Sequence, residues 1–249
     1  MIHTALLDRA LEVAWLDLAL ELGREGKPDA RNQIEIALRD RILAAESRKK
    51  TVRAVWRTWL EPPEQAREMI AWARARSPEI GDSRPLHMGA LIATHPFFGD
   101  ICAAIGRELA QGGSIRVTAV RQRIRERWAA RQSVDVAVRA AVRTLRSFGL
   151  VSAGPRGRTA ELISRLEVPE ELRGWLGHAL LIARGVGEID LEAVRSAPEF
   201  FMLVIGPGAP RAYGGVEVAV EGGRRGVLQL TGEPSIQGRQ ASQRLRRAL

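Results

Sequence analysis

Apolar residues recur at helical spacing through the first third of the chain. Leu7, Leu11, Ala14, Leu18 and Leu22 share one face of a 3.6-residue repeat, which predicts a helix over residues 4–23 stopped by Gly23 and Gly26. Asp29 suits the cap of a second helix over 29–45, with Ile34, Ala37, Leu38, Arg41 and Ile42 on its inner side. A third helix over 47–60 carries the stripe Val52, Val55, Trp56 and Trp59. Pro62 and Pro63 open a fourth over 64–76, since proline is tolerated in a first turn. After it comes a loop over 77–85. The segment 1–85 is therefore expected to be an all-helical bundle of about four helices.

The pattern then changes. Residues 86–93 and 96–110 are helical and apolar, with Phe97, Phe98, Ile101, Ile105 and Leu109 inside and Gln111-Gly112-Gly113 as the stop. A short alternating stretch, 114–118, suits a strand. Thr118 caps a helix over 119–130, Arg131 and Gln132 make a turn, and Ser133 caps a helix over 134–148 that Gly149 ends. A strand over 150–153, a basic loop over 154–158 and a return strand over 159–163 follow. This order predicts a winged helix-turn-helix over 86–165. Beyond it, 169–183 is a helix with Leu172, Trp175, Leu176, Ala179 and Leu180 inside, 191–196 a short helix, and 200–205 a buried strand. Residues 216–220 and 226–231 flank Glu221-Gly222-Gly223-Arg224-Arg225 as a β-hairpin. The expected fold is mainly α: an N-terminal helical bundle, a central winged helix-turn-helix, a small α/β part over 166–232 with a β-hairpin, and a basic tail over 233–249.

Charge singles out the middle of this layout. Residues 93–160 hold 12 Arg or Lys against 4 Asp or Glu, a net of +8, whereas 1–92 hold 15 against 14 and 161–249 hold 11 against 11. A neutral chain with one cationic module suits a polyanion, because clustered Arg releases counterions from phosphate backbones. The cations are nearly all Arg; Lys occurs only at Lys27, Lys49 and Lys50. Arg favours bidentate contact with phosphate and guanine. The lone Cys102 sits on an apolar helix face and reads as a small core residue, in keeping with a reducing, cytoplasmic setting. The most apolar stretch, 5–22, is interrupted by Asp8, Arg9, Glu12, Asp17 and Glu21, so neither a membrane span nor a signal peptide is expected.

The candidate site follows from the helix pair. Val134, Val138, Ala141, Val142, Leu145 and Phe148 form the apolar side of the second helix, with Asp135, Arg139, Arg143 and Arg146 opposite. In a helix-turn-helix the second helix enters the major groove. Gln132, Ser133, Asp135, Val136 and Arg139 near its start are expected at base edges, and Arg143 and Arg146 at phosphates. Arg121, Arg123, Arg125 and Arg127 on the preceding helix, Arg131 in the turn, and Arg156 and Arg158 on the wing add phosphate contacts. The blander alternatives are a solvated charged face, with Asp135 and Arg139 as an i,i+4 pair, or a winged helix used for protein contacts. No other chemistry emerges. His3, His87, His95 and His178 lack metal-ligand spacing, and no Gly-rich phosphate loop or nucleophile–base set is present. His95-Pro96-Phe97-Phe98 reads as the opening of a core helix, and Trp56, Trp59 and Trp72 as core residues. No catalytic residue, metal or cofactor is expected.

Two stretches, Ala30-Arg-Asn-Gln-Ile to Ser47-Arg-Lys-Lys-Thr-Val-Arg and Gln132-Ser-Val-Asp to Leu145-Arg-Ser-Phe-Gly149-Leu-Val, resemble the small A component of BREX phage-defence systems. The resemblance implies a DNA-binding non-enzyme with a helical N-terminal part and a winged-helix part. The expected function is non-enzymatic binding of double-stranded DNA, in phage defence or in transcription. The alternative is an adaptor subunit that uses the N-terminal bundle and the winged helix to hold a larger enzyme complex.

Overall fold

A computed structural model of the chain describes residues 7–128, 132–154, 158–208, 213–221 and 225–230. The chain is mainly helical, with small sheets of few strands. The helices are α1 (Val13–Glu25), α2 (Ala30–Arg39), α3 (Ala45–Trp59), α4 (Arg67–Arg76), α5 (Arg84–Thr94), α6 (Pro96–Gly112), α7 (Val117–Trp128), α8 (Gln132–Ser147), α9 (Leu172–Arg184) and α10 (Leu191–Arg195). The strands are β1 (Ile115–Arg116), β2 (Val151–Ala153), β3 (Thr159–Leu162), β4 (Leu166–Glu167), β5 (Glu188–Asp190), β6 (Leu203–Val204), β7 (Val216–Glu221) and β8 (Arg225–Leu230).

Most predicted helices are present, with shifted ends. Where spacing predicts a helix over 4–23, α1 begins at Val13. Leu7 and Leu11 are buried without being helical, so their burial follows from an arm laid on the core. Residues 4–6 of that expected helix, and His3, lie outside the described residues. The second helix stops at Arg39, and Arg41, expected inside, is exposed. The inner stripe ends at Leu38, and the chain turns so that the Arg48 guanidinium donates to the Ile42 carbonyl at 2.8 Å. The expected strand over 200–205 reduces to Leu203–Val204, because Pro198 starts a 3-10 turn, Pro198–Phe200, that buries Phe200 instead. β5 has no apolar alternation to announce it, yet it pairs with β8. The tail over 233–249 lies outside the described residues.

Three small sheets result among the described residues. β1, β3 and β2 form an antiparallel sheet in the order β1-β3-β2; β4 pairs with β6 in parallel; β5, β8 and β7 form an antiparallel sheet in the order β5-β8-β7. The hairpin expected around residue 223 is the β7–β8 pair, with Glu221 opposite Arg225.

One hydrophobic core runs through all three predicted segments, from Leu11 and Trp59 through Phe97 and Leu145 to Trp175 and Phe200. Specific contacts cross the expected boundaries. Trp175 on α9 donates its indole N–H to the Met69 carbonyl of α4 at 2.7 Å. Its ring lies so close to α5 that a Cβ on Gly89 would stand 2.3 Å from it. Between α5 and α6 the axis bends by 114°. No single helix among the described residues is long and apolar enough to cross a membrane.

Two of the buried histidines, His87 and His95, join helices through hydrogen bonds. Trp59 Nε1 can only donate, so its 3.1 Å bond makes His87 Nδ1 an acceptor. His87 Nε2 therefore carries the proton and donates to Asp17 Oδ1 at 2.8 Å, and Ser83 Oγ donates to the same oxygen at 2.6 Å. This chain links α1, α3 and α5. At the α5–α6 bend, Thr58 Oγ1 donates to Ala54 O at 2.8 Å, so His95 Nε2 donates to Thr58 Oγ1 at 3.0 Å.

This packing sets the response to substitution and to acid. Gly89→Ala would gain helix propensity of about 1 kcal/mol, but its methyl would overpack a pinned Trp175 at a cost of about 1–3 kcal/mol. The expected net is a lower thermal midpoint, checked by calorimetry; Gly112→Ala, with nothing within 4 Å of its Cβ, is the control. Acid acts through the histidines. Burial pushes the His95 imidazole down to about 3 and holds His87 below the ordinary histidine range. Below pH ~6.5 the unfolded chain takes up protons that these folded groups refuse, so stability falls as pH falls, by up to about 1.4 kcal/mol per pH unit per group. The drop in unfolding free energy between pH 7 and pH 5 is expected to be smaller in His95→Gln than in the parent.

Candidate nucleic-acid interface

α8 is amphipathic in the required sense. Val134, Ala137, Val138, Ala141 and Leu145 are buried, as is Phe148 just past its end, while Val142 is half-buried. Ser133, Arg139, Arg143 and Arg146 are exposed, and Val136 is half-buried. Arg139, Arg143 and Arg146 fall at i, i+4 and i+7, which aligns them in one stripe.

The buried side of α8 is held from behind by a single residue of the N-terminal arm. Leu11 N donates to Thr144 Oγ1 at 2.9 Å, and Ser147 Oγ donates to Leu11 O at 2.7 Å. Thr144 in turn donates to the Ala140 carbonyl at 3.1 Å. Both backbone polar groups of Leu11 are thereby satisfied by α8 side chains, which sets the rotation of the helix about its axis. Arg84 adds a bond from its guanidinium to the Phe148 carbonyl at 3.1 Å.

α7 is different. Asp135 on α8 accepts from Arg125 Nε at 3.1 Å and also from its Nη2. The expected i,i+4 pair of Asp135 with Arg139 gives way to this contact, because α7 brings Arg125 against the first turn of α8. Glu108 on α6 is 1 % exposed; it pairs with Arg116 through Oε1 and lies 3.8 Å from Arg123, which also donates to Gln111 at 3.0 Å. Asp100 on α6 takes the Trp128 indole N–H at 2.7 Å and Arg127 at 3.1 Å. Burial raises the Asp100 carboxyl above its ordinary range, with Trp128 and Arg127 opposing the rise. Arg123, Arg125 and Arg127 of α7 are thus engaged with carboxylates. The remaining α7 arginine, Arg121, is half-buried.

β2 and β3 return the chain beside this pair. Gly154 N donates to Thr159 O at 2.9 Å, and a Cβ on Gly154 would stand 2.0 Å from Thr159 Oγ1, so position 154 admits only glycine without rearrangement. The Arg158 carbonyl accepts from Val117 N at 3.0 Å, which fixes its backbone at the start of α7 and leaves its side chain exposed. Arg131, Arg156 and the side chain of Gln132 lie outside the described residues. The side chains of Arg139, Arg143, Arg146 and Arg158 make no hydrogen bond or ion pair among the described residues.

Sequence reasoning missed the anchors. Leu11, Thr144 and Ser147 carry no charge and fit an apolar stripe or a helix end; only the buried polar Thr144 among valines and alanines offered a signal. Among the described residues no group of His, Cys, Asp and Glu could hold a metal ion. Comparison with family models, with curated proteins and with solved structures finds no match.

Thr144→Val keeps the shape of the side chain but leaves the buried Leu11 N–H unpaired. The expected cost is about 1–3 kcal/mol of unfolding free energy, measured by denaturant titration. Thr144→Ser retains the hydroxyl and is expected to lose less.

Proposed function

We propose that α6, β1, α7, α8, β2 and β3 form a winged helix-turn-helix, and that the chain binds double-stranded DNA without catalysing a reaction. The element order and the β1-β3-β2 sheet support the first part. The second rests on one observation. Within the cationic window, Asp100, Glu108 and Asp135 are taken up by Arg116, Arg123, Arg125 and Arg127, while the side chains of Arg139, Arg143, Arg146 and Arg158 stand exposed and unpaired among the described residues. In this reading α8 lies in the major groove, with Arg139 near base edges and Arg143 and Arg146 at phosphates. The segment between β2 and β3 serves as the wing, and α7 serves chiefly as a backing that orients α8. The biological setting proposed with it is phage defence or transcription.

A second reading, an adaptor subunit, has a separate observation in its favour. Ile36 on α2 is 53 % exposed and Leu43, past its end, 87 % exposed, two apolar side chains on the N-terminal bundle open to a protein partner.

Gel-shift titration on random duplex across a salt series distinguishes the two. With about six phosphate contacts, log K against log salt is expected to fall with a slope near −5, at roughly −0.9 per contact. Arg139→Ala is expected to cost about 1–3 kcal/mol and to relax any sequence preference, whereas Arg143→Ala weakens all sequences alike. Absence of binding at low salt, or a salt-independent interaction, overturns the DNA reading and leaves the adaptor.

A further inference from the structure

α6 and the segment after α10 touch at Gly106, where a Cβ would stand 2.2 Å from the Pro198 carbonyl oxygen. Beside this contact lies a cleft of about 480 Å³, within the size range of small-molecule sites, roughly 300–1,000 Å³. Its apolar wall includes Leu109, Phe201 and Leu203, and three arginines, Arg107, Arg165 and Arg195, line it from α6, from the β3–β4 link and from the end of α10. Among the described residues no carboxylate lines the cleft. Glu199, adjacent in sequence, is held bidentately by Arg184 at 3.0 and 2.8 Å.

The cations are available to a ligand. The side chains of Arg107 and Arg165 are exposed and make no hydrogen bond or salt bridge among the described residues; Arg107 acts on Asp100 only through its charge. Arg195 donates through Nη1 to Glu192 and through Nη2 to the Gly208 carbonyl, each at 2.7 Å, which holds it in place with Nε left over. Arginines contributed by separate elements around an apolar wall, with no carboxylate beside them among the described residues, give the cleft a positive potential. Guanidinium groups pair bidentately with carboxylate, sulfonate or phosphate oxygens. The cleft is separate from the α8 stripe: in the β2–β3 pair, Ala153 stands opposite Ala160 at one end and Val151 opposite Leu162 at the other, and Arg165 lies beyond that second end.

We propose that this cleft binds a small amphipathic anion, its apolar body against Leu109, Phe201 and Leu203 and its charged group on Arg107 and Arg165. The inference does not depend on DNA binding.

Fluorescence titration of the full chain with anilinonaphthalene sulfonate tests it. Saturable binding is expected, weakened about tenfold or more in the double variant Arg107→Gln/Arg165→Gln, since hydrogen bonds to charged groups are the strong ones. Arg67→Gln, an exposed arginine away from the cleft, is expected to bind as the parent does. Ala110→Trp, at an exposed position lining the cleft, fills it while leaving all three arginines in the sequence and is expected to abolish binding. Octyl phosphate is expected to displace the dye at concentrations where inorganic phosphate does not. Thermal unfolding checks each variant; should the double variant unfold, Ala110→Trp and the displacement series decide. Undiminished binding in a folded double variant or in Ala110→Trp overturns the proposal. So does equal displacement by inorganic phosphate, or displacement by duplex DNA, which would assign the cleft to a polyanion surface.

Discussion

Two carboxylates on α6 govern the charge pattern of this protein. Glu108 is almost fully buried and Asp100 largely so. A carboxylate taken out of water is costly unless cations and hydrogen-bond donors compensate it. Arg116 and Arg123 do so for Glu108, and Trp128 with Arg127 for Asp100. These pairs fasten β1 and α7 to α6. They also offset part of the positive charge of the window, and Asp135 extends the effect by holding Arg125. Among the described residues of the window, the exposed arginines left without an ion pair are Arg139, Arg143 and Arg146 on α8, Arg158 beside β3, and Arg107 on α6.

That stripe is presented on a firm backing. Leu11 meets α8 with both its N–H and its carbonyl, Trp175 ties α9 to α4, and the imidazole of His87 joins α1, α3 and α5. The helical bundle, the central elements and the C-terminal elements share one core rather than three. Buried polar groups satisfied across elements specify relative placement, which apolar contacts alone leave looser. An interface built on α8 thus inherits its orientation from Leu11, a residue 133 positions before Thr144 in the chain.

Much of the helical architecture was legible from periodicity. The stripes of α3, α5, α6, α8 and α9 are long and their spacing has one solution, so elements appeared where the spacing places them. The strands β2 and β3 were legible for a similar local reason, since a glycine-bounded stretch separates them; residues 155–157 of the basic loop expected there lie outside the described residues. Less was legible where a local pattern admits two outcomes. Leu7 and Leu11 satisfy a helical repeat but serve as an arm, and 200–205 looks like a buried strand but opens with a 3-10 turn that Pro198 favours. β5 was invisible because its pairing, not its composition, makes it a strand.

For the site, the sequence alone determined that the positive charge is concentrated in one window and that α8 divides into an apolar and an arginine side, because both are properties of neighbouring residues. Only the tertiary structure decided which arginines are free. Asp135 chose Arg125, ten residues away, over Arg139 four residues away, and Asp100 met Trp128 at a separation of 28. Ion pairing depends on distance through space, and that distance is set by how α6, α7 and α8 pack, which no local pattern of charges contains.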